Sequence, residues 1–267
     1  MGSSRLPGKV LLDIAGKPMI QRVIERTRRA RMLDSVTVAT TTDPSDQAVA
    51  VFAASMGVAC TRGSLHDVLD RYYRAAQTHS ADVVIRITGD CPMIDPALID
   101  LAVTTLLDGG YDFVADRLPP PFTRTFPIGL DVEVCTFAAL ERAWREADQP
   151  FHREHVMPFL YEGVSLSDFH RPPSTVYGLL STGLSPRGFK IALLNHTPDY
   201  GSLRWTVDTP EDLEMIRRVF DALEDKNNFT WYDLLSLIQQ RPDLTEINAQ
   251  VHHKSMLDVD DRRSPAL

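Results

Sequence analysis

Three short stretches carry residues able to handle a charged phosphate ester. The first is Gly2-Ser3-Ser4-Arg5-Leu6-Pro7-Gly8-Lys9, continued by Asp13-Ile14-Ala15-Gly16-Lys17-Pro18. Glycine and small hydroxyl residues let backbone N–H groups approach a polyphosphate, while Arg5 and Lys9 supply the opposing charge. The G-x-x-x-x-G-K-[ST] spacing is absent, so this is not a Walker A loop, and an ordinary basic surface loop is the competing reading. The second stretch is Ile87-Thr88-Gly89-Asp90-Cys91-Pro92, in which Gly89 permits a sharp turn and Pro92 forbids a strand from continuing. The third is Trp205-Thr206-Val207-Asp208-Thr209-Pro210-Glu211-Asp212. There Thr209 suits a helix N-cap, Pro210 the first helical position and the acidic pair the first turn, which leaves Asp208 just outside the cap.

Two carboxylates at one sheet edge can hold Mg²⁺, a hard cation that takes one or two carboxylates together with phosphate oxygens. Singly, Asp90 reads as a turn former and Asp208 as a helix-start carboxylate. Combined with Arg5 and Lys9, the pair makes a phosphate-plus-metal site. Other candidates carry less. His152-Arg153-Glu154-His155 lacks the H-E-x-x-H spacing of a zinc helix and shows no third ligand, so it is substrate-facing or structural. Asp131 and Glu133 alternate with Leu130, Val132 and Val134 and share the strand face that the apolar residues do not. They point into a site or into solvent. Asp67 and Asp70 with Arg71 and Arg74 read as an exposed helix face. No G-x-S-x-G elbow or Ser/His/Asp arrangement supports acyl chemistry.

The elements that must position these residues alternate. Strands are expected over 36–40, 82–88, 111–115, 130–134 and 190–194, with 203–208 a further candidate. Helical spacing runs over 19–31, 45–56, 67–78, 96–107 and 137–147, with closing helices near 229–240 and 243–250. Strand followed by helix, repeated, means an α/β fold with a mostly parallel sheet covered by helices on both faces. Ligands of such sheets bind beyond the carboxyl ends of the strands, where the two aspartates fall. Leu118–Pro127 reads as a stiff proline-rich connector, and Arg171–Gly188 as a long loop. Residues 1–250 form one domain in this reading, and 251–267 a disordered tail.

Composition bounds the partners. The 267 residues carry a formal net charge of −8, which argues against a dedicated nucleic-acid binder but not against a nucleotide substrate. No apolar run is long enough to span a bilayer and no secretory signal leads the chain. Cys60, Cys91 and Cys135 are odd in number and widely spaced, as expected of reduced thiols in a cytoplasmic protein.

Phosphate loops gain their geometry by following a β-strand, and here the loop opens the sequence. In a doubly wound sheet that strand is central. The expectation is therefore an N-terminally truncated chain that lacks its first strand, is poorly soluble or inactive, and has a groove where the strand belongs.

Together with Gly129-Leu130-Asp131-Val132-Glu133-Val134 and Arg153-Glu154-His155-Val156, the three stretches resemble the cytidylyltransferase family. The resemblance runs from Gly2 to about Asn248. It is nearest the spore-coat polysaccharide biosynthesis protein F branch, and extends more distantly to the enzymes that activate acylneuraminate and 3-deoxy-manno-octulosonate as CMP-sugars. It implies a nucleotide-diphospho-sugar transferase (Rossmann-like) fold and a Mg²⁺-dependent reaction in which CTP and an acidic sugar give a CMP-sugar and pyrophosphate. By the same resemblance, Gly2, Ser3, Ser4, Arg5 and Lys9 would bind the triphosphate. Asp90 and Asp208 would hold the metal and, with Arg5 and Lys9, carry catalysis. Asp131, Glu133, Arg153, His155 and Arg204 would sit on the sugar side. A homodimer is compatible with it; nucleic acid and membrane are not implied as partners. Two rival functions stay open: a nucleotidyltransferase for another base or a phosphorylated acceptor, and a nucleotide-sugar binding protein without turnover.

Overall fold

The computed structural model describes residues 2, 3, 5–170 and 179–252. Ser4, the 171–178 part of the proline-rich stretch and residues 253–267 of the expected tail lie outside the described residues. After the N-terminal loop come a hairpin of β1 (Asp13–Ile14) and β2 (Lys17–Pro18), then α1 (Met19–Thr27), β3 (Thr37–Thr41), α2 (Gln47–Ser55) and β4 (Ala59–Gly63). Next are α3 (Val68–Thr78), β5 (Val83–Arg86), α4 (Pro96–Gly109), β6 (Phe113–Ala115) and β7 (Glu133–Thr136). The chain continues through α5 (Phe137–Glu146), α6 (Pro150–His155), α7 (Pro158–Tyr161), β8 (Phe169–His170), β9 (Leu179–Leu184) and β10 (Lys190–Asn195). It closes with α8 (Pro210–Ala222), α9 (Trp231–Gln240) and α10 (Asp243–Glu246).

Local chemistry explains the helix starts near the site. Asp95 accepts from Ala97 N ahead of Pro96 at the first turn of α4. Thr209 and Asp212 form a reciprocal capping box on α8, with Pro210 at its first position, as the sequence predicts.

The main sheet has six strands in the order β5-β7-β6-β10-β9-β8. β5, β6 and β10 share one direction, as the βα alternation implies, but β7 is inserted antiparallel between β5 and β6. β9 and β8 then extend the other edge by antiparallel pairing. The strand directions are therefore more mixed than the alternation predicts. The reason is that β6 and β7 are joined by an irregular connector instead of a crossover helix. Adjacent residues of the central strands point to opposite faces, and both faces are covered. Val114, Val134, Ala192 and Leu194 pack with α4, α8 and α9, while Phe113, Cys135, Ile191 and Leu193 pack with α3, α5 and α7.

Part of the long loop expected over 171–188 is strand: residues 179–184 form β9, fully paired with β10. The candidate strand 203–208 contributes one parallel bridge, Ile128 to Arg204, because the capping turn of α8 takes over at Asp208. β3 pairs only with β4, and β5 only with β7, among the described residues. Between their free edges opens a cavity of about 700 Å³, lined by residues 37–40 and 83–87, by Ile20, Val23, Ile24 and Thr27 of α1, and by Val10 and Gly89. Among the described residues, no helix is long and apolar enough to cross a membrane.

Candidate functional site

The loop after β5 and the segment before α8 are laced together by main-chain contacts. Val207 N donates to Asp90 O at 2.9 Å, and Thr206 Oγ1 donates to the same carbonyl at 3.1 Å. The connector between β6 and β7 joins them, since Trp205 N donates to Ile128 O at 2.7 Å. Gly129 holds a φ of 104°, and a Cβ there would lie 2.6 Å from Thr206 N and from the Trp205 carbonyl carbon. Only glycine permits that approach.

Lys9 sits at the centre. Its ammonium donates at 2.8 Å to Asp90 Oδ2, to Asp208 Oδ1 and to the Val207 carbonyl. One cation thus bridges both carboxylates that the sequence singles out. Gly8, at φ 70°, turns the chain so that the short 3₁₀ turn at residues 9–11 presents Lys9 to this gap. Arg5 Nη2 reaches Asp208 Oδ2 at 3.2 Å, and Ser3 Oγ accepts from Leu6 N at 3.3 Å, closing the loop on itself. Burial disfavours the charged Lys9, but Asp90 and Asp208 outweigh it and raise its pKa. Burial pushes the Asp208 carboxyl up, while Lys9, Arg5 and Arg204 pull it down, leaving it at about 2.

Arg204 stands behind this pair. Its Nη2 donates to Asp208 Oδ2 at 2.9 Å and to Asp212 Oδ2 at 2.8 Å, and its Nε donates to Asp212 Oδ1 at 2.8 Å. Asp212 is fully buried and also accepts from Asp208 N, Thr209 N and Asn248 Nδ2. These contacts hold the Asp208 carboxylate in place, so Arg204 braces the acid pair, whereas the resemblance assigns it to the sugar side.

A second charged group lies at the ends of β6 and β7. Arg86 and Glu133, opposite each other across β5 and β7, form an ion pair. Asp131 takes Arg124 and, at 3.5 Å, Arg117, whose Nη2 is 3.9 Å from Glu133. Asp116 is 3% exposed; its Oδ1 accepts from Val132 N at 3.0 Å and its Oδ2 has no partner. Burial, reinforced by Asp131, holds the Asp116 carboxyl far above the carboxylate range. This group adjoins the first, because the Cys91 thiol, 3.6 Å from Asp90, is raised first by burial, then by Asp90 and by Asp131. Three arginines facing three acids at a strand end can bind an anionic, hydroxylated ligand.

The remaining candidates lie apart. Arg153 makes paired bonds to Asp67 (2.6–3.1 Å) and donates to Trp144 O at 2.7 Å. Asp67 caps α3, so Arg153 fastens α6 to α3 and α5. His155 ends α6, half-buried. The structure therefore gathers Arg5, Lys9, Asp90, Asp208 and Arg204, sets Asp131 and Glu133 beside them, and places Arg153 in a helix-fastening role. Sequence reasoning missed Asp116, Arg117 and Arg124. One arginine just before the proline-rich connector and one within it were the available signal.

Magnesium requires oxygen donors, and among the described residues no group of three or more His, Cys, Asp or Glu side chains could hold a metal. Asp90 and Asp208 present two carboxylates close enough to share one ammonium, which fits an ion that completes its shell with phosphate oxygens and water.

Known proteins share this arrangement's sequence and fold. The cytidylyltransferase family matches residues 1–182. A 3-deoxy-manno-octulosonate cytidylyltransferase from Pelobacter propionicus is 47% identical over 247 residues, covering 84% of this chain and 95% of that protein. The spore coat polysaccharide biosynthesis protein SpsF of Bacillus subtilis is 26% identical over 256 residues, covering 91% and 92%. The solved structure of a cytidylyltransferase from Leptospira borgpetersenii superposes with a TM-score of 0.79 at 30% identity, covering 95% of each chain. With its sequence matched to the family over residues 1–182 and its fold matched over 95% of its length, the chain belongs to the cytidylyltransferase family.

Proposed function

We propose that this protein transfers CMP from CTP to an acidic sugar, releasing pyrophosphate, as a step in making a surface polysaccharide or glycan precursor. The observation that carries this reading is the Lys9 ammonium bridging Asp90 and Asp208, with Arg5 on the same carboxylate. A cationic loop and an acid pair meeting at one point is the arrangement that activating a nucleoside triphosphate requires. The sugar hydroxyl attacks the α-phosphorus, a P–O bond forms to the acceptor, and the bond to the β-phosphate breaks as pyrophosphate leaves. No protein nucleophile takes part.

Arg5 and Lys9 bind the triphosphate and neutralise charge on the departing pyrophosphate. Lys9 has this freedom because its bonds to the two carboxylates are exchangeable for phosphate oxygens. Asp90 and Asp208 are the residues that would hold Mg²⁺, which would add further positive charge where the triphosphate accumulates negative charge. Arg204 and Asp212 keep Asp208 in place throughout. Arg117 and Arg124, flanking Asp131, line the acceptor side and favour a sugar bearing a carboxylate.

The test is pyrophosphate release from each of the four nucleoside triphosphates with a panel of sugar acids. Release with CTP and a sugar acid supports the proposal. Release with another triphosphate or only with phosphorylated acceptors replaces it with a different nucleotidyltransferase. Nucleotide binding without release points to a binding protein.

A further inference from the structure

One face of α1 carries Arg22 and Arg26, four residues apart, and Arg29 follows in the turn just past the helix end. Like charges at this spacing repel each other. Two of them are also withdrawn from water, since Arg22 and Arg26 are each only 3% exposed, while Arg29 is exposed. None of the three forms an ion pair among the described residues. Arg22 donates to the carbonyls of Ile14 (3.1 Å) and Ala15 (2.7 Å) and to Asn227 Oδ1 (3.1 Å). Arg26 donates to the carbonyls of Ile94 (2.7 Å) and Phe229 (3.2 Å), and its plane lies 3.6 Å above the Phe229 ring. Its Nη1 is buried without an acceptor. Arg29 binds Asn227 O and Asn228 Oδ1. Neutral carbonyls and amides satisfy hydrogen bonds but leave the net charge in place.

These residues line a cavity of about 290 Å³ whose other walls are Lys17, Glu25, Lys226, Asn227 and Asn228. Five cationic side chains therefore surround it against one carboxylate, and Glu25 is already held by Lys17 at 2.7 Å and by Gln21. Asp95, Asp13 and Asp225 act on individual arginines from farther away without pairing with them. Burial lowers the Arg26 guanidinium to about 10; Asp95 offsets part of this, and Arg29 and Arg22 push it further down. None of the lining residues belongs to the Lys9, Asp90 and Asp208 site.

We propose that this cavity is a second anion site, taking a compact multivalent phosphate such as orthophosphate or diphosphate between the α1 arginines and the 226–228 loop. A dianion supplies the acceptor that Arg26 Nη1 lacks and relieves the mutual repulsion of the guanidiniums. The site also contacts the supports of the catalytic loops. Arg22 holds the β1–β2 hairpin that follows the phosphate loop, and Arg26 holds the Ile94 carbonyl four residues beyond Asp90.

The experiment is calorimetry with orthophosphate and with diphosphate on the full chain carrying Arg5→Ala, which weakens anion binding at the catalytic loop. Potassium chloride at matched ionic strength is the control. The expected result is one retained site that weakens roughly tenfold or more when Arg29→Glu is added. Arg29 is exposed, but should that variant fail to fold, Lys17→Gln with Lys226→Gln must weaken binding in the same way. Which of the two phosphates binds more tightly names the occupant. The proposal is overturned if neither anion binds at millimolar concentration, if matched chloride gives the same response, or if the charge variants bind unchanged.

Discussion

Replacing Lys9 by methionine keeps most of the side chain's bulk and removes only its charge. The ammonium lies 2.8 Å from Asp90 Oδ2 and 2.8 Å from Asp208 Oδ1, and its side chain is 13% exposed. Without it, two carboxylates that shared one cation face each other. At a separation of about 5 Å and an effective dielectric near 20, their repulsion is about 3 kcal/mol. Arg5 and Arg204 remain on Asp208 and offset part of this, so the expected loss of stability at neutral pH is about 1–3 kcal/mol. The sequence alone predicts little stability cost for Lys9, as a charged residue in a glycine-rich loop; its three part-buried contacts predict a larger one. The pH dependence follows from the depressed Asp208 carboxyl. Its stabilisation is fully present above the unfolded value of 3.8 and is lost as pH falls through about 2. In Lys9→Met that carboxyl moves back up, so the deficit relative to wild type is largest above about pH 4 and shrinks as the Asp208 carboxyl protonates. Urea denaturation of ligand-free protein across this range measures it. Added Mg²⁺ should recover more stability in the variant than in wild type, because the cation replaces the missing charge. Unchanged stability at neutral pH, or a deficit equal at every pH, would refute the reasoning.

Asp90→Asn and Asp208→Asn should each lower turnover by orders of magnitude while the melting curve stays cooperative; activity that persists in both, or in excess chelator, removes the metal assignment. Arg204→Gln should cost about 3–5 kcal/mol, because the fully buried Asp212 is left without its cation, and chemical denaturation reads this directly. Asp116→Asn should stabilise the protein by roughly 1–2 kcal/mol at pH 8. The raised carboxyl favours the folded state's neutral form, so wild-type stability falls as pH rises above the unfolded value of 3.8 toward the folded one. The amide keeps the bond from Val132 N, and melting temperature against pH should be flatter for the variant than for wild type.

The helices over 19–27, 47–55, 68–78, 96–109 and 137–146 lie where periodicity and caps place them, because their signals are local: an apolar stripe, an Asp or Thr cap, a proline in the first turn. The same locality made Asp90 and Asp208 legible, since each follows a strand-like run and precedes a turn that admits little else. The sequence also placed Arg5 and Lys9 together in one short glycine- and serine-rich loop. It could not say that Lys9 stands between the two aspartates, since residues 9, 90 and 208 are brought together only when Val207 bonds to Asp90 and Gly129 allows the β6–β7 connector to close in. Nor could it show that Arg204 braces Asp208 while Arg153 fastens α6, because one guanidinium reads like another until its partners are fixed. The antiparallel insertion of β7 and the pairing of β9 are likewise non-local, decided by which edges remain open after the central strands have packed. Periodicity reports the face that a segment buries. Direction, neighbour and partner are settled by the competition among edges and charges in three dimensions.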